Sequence, residues 1–102
     1  MSRYRLAALA RADLDEIWLF TARKAGIAIA DRLIDSITSR FPVLARMPQA
    51  GRERNDIEPG VRSFAIRKYV IYYRKARKSG IVISRVIHGE RDQKHAWETR
   101  DD

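Results

Sequence analysis

The sequence predicts an α+β domain in which an antiparallel two-helix hairpin lies across one face of a small, mainly antiparallel sheet. The first observation is that apolar residues recur at helical spacing from Leu14 to Leu44. The second is that strand-like runs then follow, Tyr-Val-Ile-Tyr-Tyr at 69–73 and Ile-Val-Ile-Ser-Arg-Val-Ile at 81–87. The chain has 102 residues, which fits a single domain over 1–102, with 93–102 as a potentially flexible tail.

The helices are predicted from apolar residues spaced three and four apart, because this repeat places side chains on one helical face. The first stripe consists of Leu14, Ile17, Trp18, Thr21 and Ala25. The second consists of Ala30, Leu33, Ile34, Ile37, Phe41 and Leu44. Gly26 ends the first helix, and so short a connection predicts an antiparallel hairpin. Pro42 should kink the second helix or split off a short terminal piece.

Acidic residues mark the expected beginning of the first helix. Asp13, Asp15 and Glu16 are placed near that beginning, where the helix dipole favours negative charge. We therefore interpret these carboxylates as capping and dipole-complementing groups rather than as a catalytic pair.

The strands are predicted from runs of β-branched and aromatic residues. A short strand lies within 2–7, with Tyr4 and Leu6 inward, and three more lie at roughly 61–67, 69–76 and 80–87. Residues 51–60 are polar and are expected to form a connecting loop. Since the last strand is apolar at odd and even positions, it should have two apolar faces, and the helices can cover only one. The other should be exposed or covered by a partner, unless the tail folds back with Trp97 against it.

Positive charge is concentrated in the C-terminal part of the chain. The formal net charge is +8, and residues 60–102 hold eleven Lys/Arg against five Asp/Glu. Between Val61 and Gly89 there are eight basic residues and no acidic one. Such a sheet predicts a negatively charged partner, either nucleic acid or an acidic protein, although charge of this kind also serves solubility.

Several classes of chemistry are disfavoured. The chain has no cysteine, which excludes disulfides and thiolate catalysis. His88 and His95 are the only histidines, which makes a poor metal site, and no phosphate loop or dinucleotide fingerprint is present. We therefore expect no metal and no cofactor. Because neither a secretory signal nor a membrane-length apolar run is visible, the sequence predicts a cytoplasmic protein without membrane contact.

The remaining side chains, Arg, Lys, Tyr and His, can bind phosphate. In principle they can also cleave RNA, which needs a base for the 2′-hydroxyl, cations for the phosphorane and an acid for the leaving oxygen. Tyr69, Tyr72 and Tyr73 fit cross-strand packing better than base stacking.

Five segments, in order, resemble the ParE/RelE superfamily of toxins and together cover about residues 4–92. They are 12–18 (Ala-Asp-Leu-Asp-Glu-Ile-Trp), 44–52 (Leu-Ala-Arg-Met-Pro-Gln-Ala-Gly-Arg), 60–64 (Gly-Val-Arg-Ser-Phe), 69–74 (Tyr-Val-Ile-Tyr-Tyr-Arg) and 85–92 (Arg-Val-Ile-His-Gly-Glu-Arg-Asp). The resemblance implies the RelE/ParE-like fold and a toxin of a type II toxin–antitoxin pair. It also implies a ParD-like antitoxin that wraps the toxin in a hetero-oligomer.

The resemblance leaves two activities open. ParE-like members inhibit DNA gyrase, whereas RelE-like members cleave messenger RNA on the ribosome with a basic cluster and a C-terminal tyrosine. Val70 replaces one arginine of that cluster, and Trp97 is the aromatic residue of the tail. We therefore predict a non-catalytic, ParE-like gyrase inhibitor. The alternative is an endoribonuclease that uses Arg62, His88 and Arg91.

A third hypothesis is a basic nucleic-acid-binding module without toxicity, so direct nucleic-acid binding stays open. The residues predicted to contact the partner are all basic. They are Arg62, Arg67, Lys68, Arg74, Arg85 and Arg91.

Overall fold

The computed structural model describes residues 3–90, which form one sheet and three helices. The helices are α1 (Ala8–Ala25), α2 (Ile27–Thr38) and α3 (Arg40–Arg46), and a 3-10 turn follows at Pro48–Ala50. The strands are β1 (Tyr4–Leu6), β2 (Arg52–Glu53), β3 (Arg62–Ile66), β4 (Tyr69–Lys75) and β5 (Ile81–His88). The predicted α+β fold is confirmed. The sheet has five strands rather than four, because β2 forms within the predicted loop 51–60.

The sheet has the order β1-β5-β4-β3-β2. β1 pairs with β5 in parallel, and the other three pairings are antiparallel, so the predicted mainly antiparallel sheet is confirmed. A bulge between Tyr72 and Tyr73 shifts the β4–β5 register. Along β4 the side chains alternate between faces, so Tyr72 and Tyr73 are buried in separate apolar clusters. The extra residue of the bulge is Ser84 of β5, and it places Ile83 and Val86 in the same cluster despite their different parity.

The first helix begins earlier than the sequence predicts. α1 starts at Ala8, so its first turn contains no acidic residue and Asp13 lies in the second turn. The interpretation of Asp13, Asp15 and Glu16 as capping and dipole-complementing groups is therefore wrong. The predicted end is confirmed, since Gly26 has φ of +96° and donates its N–H to the Ala22 carbonyl at 2.9 Å.

The second predicted helix is divided, as Pro42 indicated. α2 ends at Thr38 and α3 begins at Arg40, so Pro42 is the third residue of a new helix. The first four N–H groups of a helix have no partner within it, and a proline there removes no helical hydrogen bond.

The main core lies between the helices and one face of the sheet. The helices contribute Ala10, Leu14, Ile17, Ile37, Phe41, Leu44 and Ala45. The sheet contributes Ile71, Tyr73, Ile81, Ile83 and Val86. Trp18 fastens the hairpin by donating its indole N–H to Asp31 at 2.8 Å. Within residues 3–90, no helix has the length and apolar content that a bilayer crossing requires.

The second apolar face is buried, contrary to the expectation that it would be exposed or would need a partner. Val61, Tyr72 and Ile87 form a separate buried cluster there, with Ile57 and Val70 packed against it. Ile57 comes from the loop between β2 and β3, so the chain itself covers part of this face. Trp97, the predicted plug, lies outside the described residues.

Candidate functional site

Four of the six predicted contact residues, namely Arg62, Arg67, Lys68 and Arg74, lie at the two ends of β4. At one end Arg62 is paired with Tyr73, and at the other Tyr69 is paired with His88. Arg67 and Lys68 form the turn that joins β3 to β4, at the His88 end. We call Arg62, Arg74 and Lys75 the cleft cluster. We call Arg67, Lys68 and His88 the turn cluster.

Arg85 belongs to neither cluster, because it is only 8% exposed. Its guanidinium donates from Nε and Nη2 to the two carboxylate oxygens of Asp13, at 2.8 and 2.9 Å. A buried bidentate pair of this kind fixes α1 against β5 and leaves Arg85 unsuited to a contact surface. The sequence places Arg85 among the basic residues of the sheet but carries no sign of its pairing with a residue 72 positions away.

Asp13 has a second role at the edge of β5. β1 pairs with only three residues of β5, up to Ile83, and the chain then turns into α1. Further along β5, the Asp13 carboxylate accepts the Val86 N–H at 2.9 Å. Asp13 therefore satisfies a buried backbone donor that no neighbouring strand reaches.

The cleft cluster lines a cavity of about 380 Å³. The cavity lies between the 3-10 turn, β2, the loop before β3, and the paired ends of β3 and β4. Its lining residues are Pro48, Gln49, Glu53, Asn55, Gly60, Val61, Arg62, Tyr73, Arg74 and Lys75. The lining therefore combines basic groups with apolar and aromatic residues.

Hydrogen bonds at Gly51 order one wall of this cleft. The Tyr73 hydroxyl accepts the Gly51 N–H at 2.7 Å and donates to the Pro48 carbonyl at 2.8 Å. From the other side, Arg62 donates from Nη1 to the Gly51 carbonyl at 2.7 Å. A Cβ at Gly51 would lie 2.7 Å from Tyr73 Cε1 and 2.9 Å from the Ser63 carbonyl, so only glycine fits this close approach. Burial raises the pKa of Tyr73, which keeps its hydroxyl protonated as a donor.

Two ion pairs hold the arginines of the cleft. Arg62 contacts Glu53 at 3.3 Å, and Arg74 contacts Glu58 at 3.4 Å. Both pairs are partly exposed and long for charge-assisted hydrogen bonds, so each contributes little to stability. Arg62 and Arg74 can therefore exchange these contacts for an anion that binds them more strongly.

Arg54 connects the loop before β3 to the second apolar cluster. Its guanidinium lies 5.8 Å from the centre of the Tyr72 ring and donates to Asp56 at 3.0 Å from both Nε and Nη2. The hydrogen bond from Arg54 holds the pKa of Asp56 below its usual value, and burial raises the pKa of Tyr72. The tyrosines of β4 thus serve packing, as the sequence indicated, rather than an open stacking surface.

The turn cluster lines a separate cavity of about 290 Å³. Arg67 has φ of +57°, a left-handed conformation that non-glycine residues rarely adopt. The His88 ring lies edge-on to Tyr69 with centroids 5.1 Å apart, and its Nδ1 accepts the Glu90 N–H at 3.1 Å.

Within the described residues, the structure does not bring Arg62 and His88 of the nuclease alternative together. Arg62 and His88 face opposite ends of β4, and four residues of strand span roughly 13 Å. A base and a cation that act on one phosphate must both lie within hydrogen-bond reach of it. Arg91, the third residue of that hypothesis, lies outside the described residues.

The helical hairpin carries an exposed apolar surface that we did not predict from the sequence. It consists of Leu19, Phe20, Ile27 and Ile29, and we call it the hairpin surface. Phe20 is 60% exposed and Ile27 63% exposed. Lys24 lies over the Phe20 ring at 5.2 Å, and Arg32 lines a groove with Ile29, Leu33 and Arg67. The signal was present in the sequence, since these four residues are apolar but fall outside both helical stripes.

Comparison with known proteins identifies the family. The family described as "ParE toxin of type II toxin-antitoxin system, parDE" matches residues 4–93. The chain belongs to the ParE toxin family. This confirms the resemblance on which the sequence analysis relied, and it makes the chain the toxin component of a type II toxin–antitoxin system.

Individual ParE proteins show the same relationship. The chain is 31% identical to Toxin ParE1 of Mycobacterium tuberculosis over 91 residues, which cover 89% of this chain and 93% of the relative. It is 31% identical to Toxin ParE3 of Caulobacter vibrioides over 77 residues, which cover 76% of each chain.

A solved structure shares the fold. It is described as "Chromosomal ParDE TA system from P. aeruginosa" and aligns with a TM-score of 0.76 at 24% identity, covering 88% of this chain and 98% of the other.

Proposed function

We propose that this ParE-family toxin inhibits DNA gyrase by binding, without catalysing a reaction, and that a ParD-like antitoxin neutralises it in a hetero-oligomer. The observation that carries the proposal is the separation of Arg62 from His88 across β4. Basic groups so divided can hold an extended acidic or nucleic-acid surface, but they do not supply acid, base and cation to one phosphate. The proposal places the chain in the cytoplasm, where gyrase acts.

The proposed target contacts are the exposed cations at the two ends of β4. The cleft cluster contributes Arg62 and Arg74, and the turn cluster contributes Arg67 and Lys68. Arg85 is left out because it is buried against Asp13. Arg91 stays a candidate from the sequence. Complementary charge across an interface raises the association rate and fixes the orientation of partners, which suits an inhibitor that must find one enzyme.

A purified supercoiling assay tests the proposal. Toxin added to gyrase and relaxed plasmid should block supercoiling and cause cleaved DNA to accumulate. Saturating toxin that does neither would exclude gyrase as the target. A translating extract with primer-extension mapping provides the second arm, since new cuts in translated messages would support the endoribonuclease instead.

Charge reversal shows which end of the sheet contacts the target. Arg67→Glu/Lys68→Glu alters the turn cluster and Arg74→Glu/Lys75→Glu alters the cleft cluster, each by the same net charge. Arg77→Glu/Lys78→Glu, in the β4–β5 turn, is the matched control. We expect at least one of the first two pairs to lose inhibition by about tenfold or more while the control keeps it. Equal losses in all three would indicate dependence on net charge alone.

The proposed antitoxin surface is the hairpin surface. Four large apolar side chains of α1 and α2 are exposed there, and a concentration of exposed apolar side chains marks an interaction site. Lys24 and Arg32 lie beside it, so an acidic amphipathic segment would match it in both charge and polarity. Co-expression with an adjacent small reading frame tests this, because a true antitoxin should restore growth and co-purify with the toxin.

A further inference from the structure

The cleft beside β2 has the dimensions of a small-molecule site. Its volume of about 380 Å³ is close to the lower end of the range for ligand pockets, about 300–1,000 Å³. Its lining includes three basic residues, Arg62, Arg74 and Lys75, and the buried Val61 and Tyr73. A polyanionic ligand with a flat, weakly polar portion matches this combination.

The protein orients the basic side chains of the cleft, but their contacts with carboxylates are weak. Arg62 is oriented by its 2.7 Å bond to the Gly51 carbonyl, and its contact with Glu53 is only 3.3 Å. Arg74 has a similar 3.4 Å contact with Glu58. Within residues 3–90, Lys75 forms no ion pair. A phosphoryl group offers several charged oxygens to such donors, and guanidinium groups bind it in a bidentate manner.

The wall of the cleft is rigid enough to hold a ligand in one orientation. Tyr73 fixes Gly51 through its hydroxyl, and Arg62 fixes the same residue through its carbonyl. Asn55 and Gln49 add side-chain amides to the lining. Amides both donate and accept hydrogen bonds, which is the property needed to contact the edge of a nucleobase.

We propose that this cleft binds a nucleoside phosphate, with the phosphoryl groups between Arg62, Arg74 and Lys75 and the base near Asn55 and Gln49. The proposal concerns the toxin alone and does not depend on which cellular target it inhibits. The competing occupant is an acidic peptide. It matches the cations less well, because a carboxylate offers only two oxygens and the peptide has no nucleobase for the amides of the lining.

Isothermal titration of the full-length chain with ADP, adenosine and a hexaglutamate peptide tests the proposal. ADP should bind with one-to-one stoichiometry. Adenosine and the peptide should bind at least about tenfold more weakly, because adenosine lacks the phosphoryl groups and the peptide lacks both the phosphoryl groups and the base. The proposal is overturned by an absence of ADP binding, by adenosine binding as tightly as ADP, or by tighter binding of the peptide.

Three variants locate the site. Arg74→Gln/Lys75→Gln should weaken ADP binding by about tenfold or more, since it removes two charged contacts. Arg77→Gln/Lys78→Gln removes the same charge outside the cleft and should change affinity by less than about twofold. Glu53→Gln should tighten binding, because it releases Arg62 and removes a repulsive carboxylate. Equal weakening by both double variants would show non-specific charge binding and overturn the assignment. All substituted side chains are largely exposed, and thermal unfolding checks that each variant folds.

Discussion

At the scale of single residues, the Tyr73 hydroxyl is the group on which the cleft wall most depends. It satisfies the Gly51 N–H and the Pro48 carbonyl, and both contacts form in a part of the chain where water is largely excluded. Tyr73→Phe should lower the free energy of unfolding by about 2 kcal/mol, because it removes the partner of two backbone groups. Urea denaturation measures the loss.

Tyr69→Phe is the matched control for that measurement. This substitution lies in the same strand, but residues 3–90 provide no hydrogen-bond partner for the Tyr69 hydroxyl. A change of less than about 0.5 kcal/mol is expected there. If both variants lost the same stability, the hydroxyl contacts of Tyr73 would not explain its effect.

Asp13 is a second residue on which the stability of the fold strongly depends, because its carboxylate joins α1 to β5. Asp13→Asn removes the carboxylate charge that the buried Arg85 contacts through Nε and Nη2, and it weakens the acceptor for the Val86 N–H. Removing one partner of a buried pair typically costs about 3–5 kcal/mol, so the variant should be unfolded or strongly destabilised.

The exposed Asp15, two residues further along α1, supplies the control for Asp13. Asp15→Asn should alter the unfolding free energy by less than about 0.5 kcal/mol in the same denaturation experiment. The double substitution Asp13→Leu/Arg85→Met should recover part of the loss, because it removes both charges. No recovery would mean that the Val86 contact, rather than the ion pair, dominates.

At the scale of elements, periodic segments were predictable and tertiary pairings were not. The hairpin, Gly26 and Pro42 follow from spacing and backbone chemistry, which act locally along the chain. β2 contains only Arg52 and Glu53, so it has no pattern of its own and exists through its pairing with β3. Arg85 shows the same limit. Its residue type and its place among other basic residues indicated a cation on the surface, and only the packing of α1 against β5 buries its guanidinium.

Strand β4 carries three tyrosines whose pKa values are raised by burial, namely Tyr69, Tyr72 and Tyr73. A phenol with a raised folded-state pKa binds its proton more tightly in the folded chain than in the unfolded one. Its stabilising contribution is therefore complete below the unfolded value of about 10 and is lost as pH rises through the folded value.

The free energy of unfolding should therefore fall as pH is raised from about 9 to about 11, and phenolate absorbance should show ionisation delayed until the chain unfolds. Tyr73→Phe should reduce the slope of this pH dependence, since it removes one of the three groups. A stability that stayed constant over this range would contradict the burial of the phenols.

At the scale of the whole molecule, the exposed apolar side chains of α1 and α2 border the turn cluster, since Ile29 lines a groove with Arg67. The cations proposed for the target lie at the two ends of β4, whereas the largest exposed apolar group lies on α1 and α2. Arg23, Lys24 and Arg32 lie near that group, and two copies of the chain facing each other there would place like charges together. The hairpin surface is thus better suited to an acidic partner than to self-association.

Phe20→Ser/Ile27→Ser tests the role of the hairpin surface. Because both side chains are mostly exposed, the unfolding free energy of the toxin should change by no more than about 0.5 kcal/mol for each substitution. The antitoxin complex should weaken by about tenfold or more, since two apolar anchors are removed from its centre, and co-expressed antitoxin should no longer rescue growth.

Met47→Ser provides the control, because Met47 is 59% exposed but lies after α3, away from the hairpin. If Met47→Ser weakened the complex and the hairpin variant did not, the antitoxin would have to bind the α3 side of the fold. That side lies next to the cleft, so antitoxin and nucleoside phosphate would then be expected to compete.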